Sequence, residues 1–381
     1  MKVYRQIIVM IISVMLTFGH FTNVSAMSGS VSDASGFKAM PQIQITSEAK
    51  SYKSVSSAGK KVRSYLKKHK ATFTFYITKK SLISTKKKAK STASKILKKA
   101  YAHTKTSNEG DSIEWNIDHW QYNFLIYGNR KKCRYTFAIT YRMTKAQDEE
   151  VQTQGKALIK SLDMANSTDY QKVKKIYDWM TSNIAYDHVS TSGMRYTPYN
   201  ALIKKKAVCE GYALLFYRLC LMAGVNCRFI TGNKKSHAWN IVKLNGKYYN
   251  VDSTWDAGNS RYRYFLKSNA NFTEHTRDKA YNTKSFNSTY KMSTKDYVPV
   301  TSLTLDVTAG YVLVGNKGQL TATLVDASSP DVANLKWSSS NKKVATVSSK
   351  GVVTGVGEGQ CVITASVGDL KATCTLSVFK Y

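Results

Sequence analysis

Val208-Cys209-Glu210-Gly211-Tyr212, Ser236-His237-Ala238-Trp239-Asn240 and Tyr249-Asn250-Val251-Asp252-Ser253-Thr254-Trp255-Asp256 set a thiol, an imidazole and a carboxylate in three different local settings. Cys209 stands directly before Ala213, Leu214, Phe216, Tyr217, Leu219 and Cys220, whose spacing predicts a helix ending near Gly224. His237 opens one alternating, strand-like run, and Asp252 closes another. Asn245-Gly246 between the two runs is a strong two-residue hairpin signal. With Arg228–Gly232 as a third run, the expectation is a helix followed by three strands, with the cysteine at the helix start.

That placement has chemical consequences. A helix N-terminus offers unpaired N–H groups and the positive end of the dipole, which favour a thiolate and can hold an oxyanion. His237 is suited to take the thiol proton and return it to a leaving amine. Asp252 is suited to fix the tautomer of that ring. Gly211 is expected to give a substrate backbone room to approach, and Trp239 and Trp255 to form apolar walls that limit water. A metal centre is the rival reading, but one Cys, one His and one Asp without a second close ligand do not make a zinc spacing. The expectation is therefore a site with no metal and no cofactor.

Outward from this core the chain divides by texture. Lys2 and Arg5, an apolar Ile7-to-Phe18 run and Val24-Ser25-Ala26 read as a secretory signal over residues 1–26. Residues 27–54 lack periodicity and read as a flexible leader. Residues 55–145 alternate short helical and strand patterns, in the order strand–helix–strand–strand after an initial helix, and predict a small α+β subdomain. Helical spacing returns at 147–162 and 169–184, within a catalytic unit set at 146–298. From 299 to 381, short Val-, Thr- and Ala-rich runs punctuated by Gly, Ser and Asn predict an all-β sandwich.

The 381 residues are 43% hydrophobic and carry 57 Lys+Arg against 24 Asp+Glu, a formal charge of +33. No zinc-finger spacing or aromatic RNA-binding signature accompanies that charge, which argues against nucleic acid. On an exported protein it points to anionic wall polymers or surface glycans as partners, with no membrane span in the mature form. Of six cysteines, Cys361 and Cys374 flank a Gly368-Asp369 turn and read either as a disulfide pair or as two buried thiols; Cys220 and Cys227 read as core.

Tyr186-Asp187, Val208 to Ala213, His237-Ala238-Trp239-Asn240 and Val251 to Asp256 together resemble the secreted bacterial branch of the transglutaminase-like superfamily. The resemblance implies a papain-like α+β core, with Cys209 as nucleophile, His237 as base and Asp252 as orienting group. It implies acyl transfer on protein or peptide amide bonds through a thioester, and it leaves crosslinking and hydrolysis open. Leu335 to Asn341, Val344 to Val347, Gly351 to Val356 and Gly359 to Ala365 resemble the bacterial immunoglobulin-like group 2 domain, implying an extracellular spacer or adhesion module. The reading that follows is an exported thiol acyltransferase at the bacterial cell surface. The alternatives are a cysteine protease or amidase of cell-wall peptides, or a non-catalytic wall-binding protein with a vestigial triad.

Overall fold

The computed structural model describes residues 27–32, 49–128, 130–165, 167–234, 236–258, 262–325 and 335–381. The signal segment expected at 1–26 lies outside the described residues. The stretch expected as a flexible leader differs in its two described pieces. Met27–Ser32 (β1) pairs antiparallel with Ile117–Ile126 (β4), and Ser51–Tyr52 (β2) pairs parallel with Thr72–Ile77 (β3). Residues 33–48 lie outside the described part.

The N-terminal layer is a five-stranded sheet in the order β1-β4-β5-β3-β2, with β5 at Cys133–Tyr141. Strict alternation in β3 turns Phe73, Phe75 and Ile77 inward, where they meet Phe124, Tyr135 and Phe137. Helices Val55–Lys67 (α1) and Lys86–Ala100 (α2) cover that apolar face. Each begins on a hydroxyl cap: the Ser57 N–H donates to Ser54 Oγ at 3.1 Å, and the Lys88 N–H to Thr85 Oγ1 at 3.2 Å. A short helix, Asp111–Asn116 (α3), leads directly into β4.

Two longer helices follow, Lys145–Ser161 (α4) and Asp169–Asn183 (α5), each opened by a Thr-to-Gln capping box, Thr144/Gln147 and Thr168/Gln171. At the centre lies Cys209–Met222 (α6), buried along nearly its whole length. It stops where Gly224 takes φ +83° and the Val225 N–H returns to the Cys220 carbonyl at 2.8 Å. The sheet behind it runs β8-β7-β6, with β6 at Cys227–Gly232, β7 at His237–Leu244 and β8 at Lys247–Val251. Asn245 (φ +45°) and Gly246 (φ +83°) supply the left-handed pair of a tight hairpin turn, and Leu244 faces Lys247 across it.

The C-terminal unit is the expected β-sandwich. Gly359–Val367 (β9) and Leu370–Phe379 (β10) form its longest hairpin, turning at Gly368-Asp369, within a four-stranded sheet that also holds Ala309–Leu313 and Lys336–Ser339. The register decides the cysteine question. Cys361 faces Leu376 and Cys374 faces Ile363, so the two thiols are diagonal neighbours, both buried and both free. Diagonal positions stand about 7–8 Å apart, too far for an S–S bond near 2 Å without moving the strands. The disulfide alternative is therefore not formed. All six cysteines are free, so non-reduced, denatured protein should titrate six thiols, and a shortfall of a pair would contradict the register.

Candidate active site

The site is assembled at the N-terminal end of α6. Val208 is extended and caps α6 without a side chain, so the first-turn N–H groups carry no side-chain cap. Val208 is itself held by a 3.0 Å bond from its N–H to the Arg195 carbonyl. Cys209 is partly exposed, whereas the eleven residues after it, up to Cys220, are buried. The hairpin then delivers the other two groups. His237 opens β7, and Asp252 directly follows β8.

His237 Nε2 lies 2.5 Å from Asp252 Oδ2, in a setting where both side chains are buried. Cys209 acts on the same ring and helps it hold its proton. Burial alone would drive the proton off His237. The charge of Asp252, its hydrogen bond and the contact with Cys209 outweigh burial and raise the imidazole to about 10. Asp252 is held well below the usual carboxylate range, to about 2. Burial opposes ionisation there too, and His237 and His275 overcome it. The result is a buried imidazolium–carboxylate pair beside the Cys209 sulfur.

Asp252 is saturated with donors. Its Oδ1 accepts the backbone N–H groups of Thr254 (2.9 Å) and Trp255 (3.3 Å). Its Oδ2 takes His237 and, at 2.8 Å, His275 Nε2. Asp256, fully buried, braces the turn from below. It accepts the Tyr177 hydroxyl and, at 3.0 Å, the Tyr264 N–H, while the same Tyr177 hydroxyl donates to the Asp252 carbonyl at 3.2 Å.

The structure redistributes the three residues expected to meet substrate. Trp255 is 39% exposed, with its ring 4.8 Å from that of His237, and stands at the edge of the site as a wall. Trp239 is fully buried; its indole N–H points to Asn250 Oδ1 at 3.4 Å and its ring packs behind His237. It supports the site and does not line it. The space a side chain at Gly211 would take is already filled by protein. A Cβ there would stand 2.8 Å from Ala207 Cβ and 2.9 and 3.0 Å from the carbonyl oxygens of Arg195 and Thr197. The glycine lets the 193–197 segment lie against the helix start, so its role is packing.

His275 is the group that residue-by-residue reading missed. It lies 23 residues beyond Asp252 in an irregular strap with neither helical nor strand period, so no local pattern marks it. With His237 and Asp252 it forms a cluster of potential metal ligands. Ligands sharing a zinc ion at 2.0–2.1 Å stand about 3.3 Å apart. Nitrogen-to-oxygen separations of 2.5 and 2.8 Å are instead those of shared protons. The donor set does not fit a resident metal.

Residues 156–253 match the Transglutaminase-like superfamily family model and residues 299–376 the Bacterial Ig-like domain (group 2) model. The chain thus carries a transglutaminase-like domain of mixed α and β structure and a C-terminal Ig-like sandwich. Kyphoscoliosis peptidase of Homo sapiens is similar at 34% identity over 118 residues, spanning 26% of this chain and 18% of that protein. Ice-binding protein 1 of Shewanella frigidimarina is similar at 44% over 59 residues, 15% of this chain and 7% of that protein. The chain therefore spans less than a fifth of either relative. A solved structure described as a TGase covers 36% of this chain and 46% of its own at 18% identity and a TM-score of 0.28, a likeness too low to carry more.

The raised imidazole makes a prediction for stability. His237 binds its proton more tightly when folded than its ordinary value of 6.5. Its contribution is therefore fully present below pH 6.5 and is lost as pH climbs through about 10. Denaturant melts of the wild type and His237→Gln should show a gap that narrows from pH 6 to pH 10. A gap that is constant or widens would refute the ion pair.

Proposed function

We propose that the chain is a thiol acyl-transfer enzyme acting on amide bonds of proteins or peptides, exported to the bacterial surface. The observation that carries the reading is the Cys209–His237–Asp252 contact chain, with His237 holding a proton beside the sulfur. In this reaction the proton on His237 is the one given up by Cys209, and the resulting thiolate attacks the amide carbon while the carbonyl electron pair moves onto the oxygen. The uncapped N–H groups of the α6 first turn receive that oxyanion. Collapse breaks the C–N bond, and the leaving nitrogen takes the proton from His237, giving a thioester and an amine. His237, now neutral, deprotonates the second nucleophile, an amine or water, which attacks the thioester. That nucleophile's proton restores the cation as the thiolate leaves.

The second nucleophile decides between crosslinking and hydrolysis. Trp255, half in solvent at the edge of the histidine, is placed to govern it. The hydrolytic reading is favoured by the name peptidase borne by the human relative. Incubation with a fluorescent primary amine and a glutamine-bearing peptide should give incorporation or cleavage that falls at least about a thousandfold in Cys209→Ala. Trp255→Ala should shift product from amine adduct towards free acid. Full activity in Cys209→Ala would end this reading.

The N-terminal layer supports an anionic surface partner. Between Ala49 and Asn108 the chain has no carboxylate, and Lys86, Lys87, Lys88, Lys95, Lys98 and Lys99 of α2 are all exposed. A face of one sign attracts a flexible polyanion such as a wall polymer of repeating phosphodiesters, in a salt-dependent way. Among the described residues no helix is long and apolar enough to cross a membrane. Sedimentation with polyglycerol phosphate should show binding that weakens steeply between 50 and 300 mM salt, on the order expected from Debye screening. Lys86→Glu/Lys87→Glu/Lys88→Glu should reduce it about tenfold at low salt. Unaltered binding in that variant would place the contact elsewhere.

A further inference from the structure

The strap that carries His275 is fastened with unusual care. Asn233, in the β6–β7 turn, donates its backbone N–H to the Thr276 carbonyl at 2.7 Å. Its side-chain oxygen accepts the Thr276 N–H at 2.8 Å, and its side-chain nitrogen donates to the Glu274 carbonyl at 3.2 Å. Gly232, just before, admits the strap: a Cβ there would stand 2.2 Å from the Thr276 oxygen and 2.3 Å from the Trp239 ring. Phe272 stacks on the His275 imidazole at 3.8 Å, and Trp255 closes its other side at 4.2 Å. These contacts hold the ring where Nε2 meets the oxygen that already serves His237.

The chemistry of that position is restrictive. Asp252 is fully buried, and a buried carboxylate persists only where donors replace water. A lysine or arginine would supply donors, but its charge beside His237 would oppose the imidazolium on which the reaction depends. A neutral imidazole gives a donor without the charge. Burial lowers the proton affinity of His275; Asp252 acts against this but does not reverse it, and His237 adds to it. The other charged group facing the ring is Glu274, on the same strap and half in solvent. His275 Nδ1 is buried with no hydrogen-bond partner, so the ring's one polar engagement in the structure is with Asp252.

We infer that His275 is a positioning residue: its neutral Nε2–H locks the Asp252 carboxylate so that Oδ2 stays on His237, turning the Cys–His–Asp line into a four-member relay. The inference rests on the thiol acyl-transfer reading for its kinetic consequence, but its geometric content can be read without turnover. With Asp252 held by two backbone N–H groups on one oxygen and two imidazoles on the other, the carboxylate cannot rotate without breaking four bonds.

Two full-length variants, His275→Leu and His275→Gln, separate the possibilities. Leucine removes the donor, whereas glutamine retains an N–H. His275→Leu should lower turnover about tenfold with KM within about twofold of wild type, and His275→Gln should recover most of the loss. The ring NMR signal of His237, followed against pH, should show its proton leaving at lower pH in His275→Leu than in wild type. That titration needs no substrate, so it tests the relay even if no amide substrate is turned over. A downward move that glutamine reverses supports the inference. A folded His275→Leu with a wild-type His237 titration overturns it, whatever its turnover. An equal loss in both variants with an unmoved titration also overturns it, leaving His275 as packing alone.

Discussion

A helix buried on every side must find partners for its charges inside the protein, and α6 sets this constraint for the rest of the fold. Glu210 and Arg218 lie among Tyr212, Leu215, Phe216 and Leu219 with almost no access to water. Left unpaired, each would cost several kcal/mol, on the order seen when one member of a buried ion pair is removed. Arg142, at the end of β5, reaches Glu210 at 2.6 Å, and Asp148 of α4 meets Arg218 at 2.5 Å while also touching His69 at 3.4 Å. Beside them Asp111 takes Arg228 through two oxygens and the Phe229 N–H. Helix α4 thus supplies the counter-charge of Arg218, and the N-terminal layer that of Glu210. Their role at the site is to keep the start of α6, and so Cys209, in one place.

From that fixed helix the geometry of the other groups follows. The β6–β7–β8 sheet packs on α6 through Phe229, Ala238 and Val242, so the hairpin cannot slide without exposing its inner face. The Asn245-Gly246 turn sets the register between His237 and Asp252, because Asn240 faces Val251 just inside them. A slip of one residue would turn every side chain of one strand to the other face and part His237 from Asp252. Two glycines do different work nearby. Gly211 lets the 193–197 segment lie against the helix start, and Gly232 lets the 275 strap lie against the sheet. Both are close approaches of backbone to backbone, and neither faces a ligand.

Much of this was legible in sequence because it follows local period. The apolar run after Cys209, the alternation of β7 and β8, the Asn-Gly turn and the capping hydroxyl at Thr168 each carry a physical signature within a few residues. The cysteine–histidine–aspartate meeting was readable because helix start, strand start and strand end are positions that topology brings together. What escaped was non-local. His275 is placed by hydrogen bonds to Asn233, 42 residues earlier, and no repeat along the chain announces such a fastening. Gly211 and Trp239 were assigned to the cleft by adjacency to the triad, but two residues along a helix turn a position about 200° away, and two along a strand keep its face but carry it about 7 Å further under the sheet's cover. The Cys361–Cys374 alternative failed because flanking a turn does not set the pairing: Cys361 stands two residues further from the turn than Cys374, and the register puts Leu376 opposite it.

The chemistry at Asp252 shows why burial and charge have to be solved together. Dry surroundings strengthen the pull between His237 and Asp252, which makes the pair useful beside a thiol. The same dryness would neutralise the carboxylate if its oxygens lacked donors. The backbone turn at 253–255 provides two, for one oxygen, and a backbone can provide them with no charge and no flexibility. The second oxygen must keep one side for His237 and still be satisfied on the other, and among the described residues no backbone N–H reaches it. A neutral side-chain donor is the remaining solution, and it has to come from a segment outside the hairpin. The irregular stretch around His275, which lacks any period of its own, is therefore as much a part of the site as the helix that bears the cysteine.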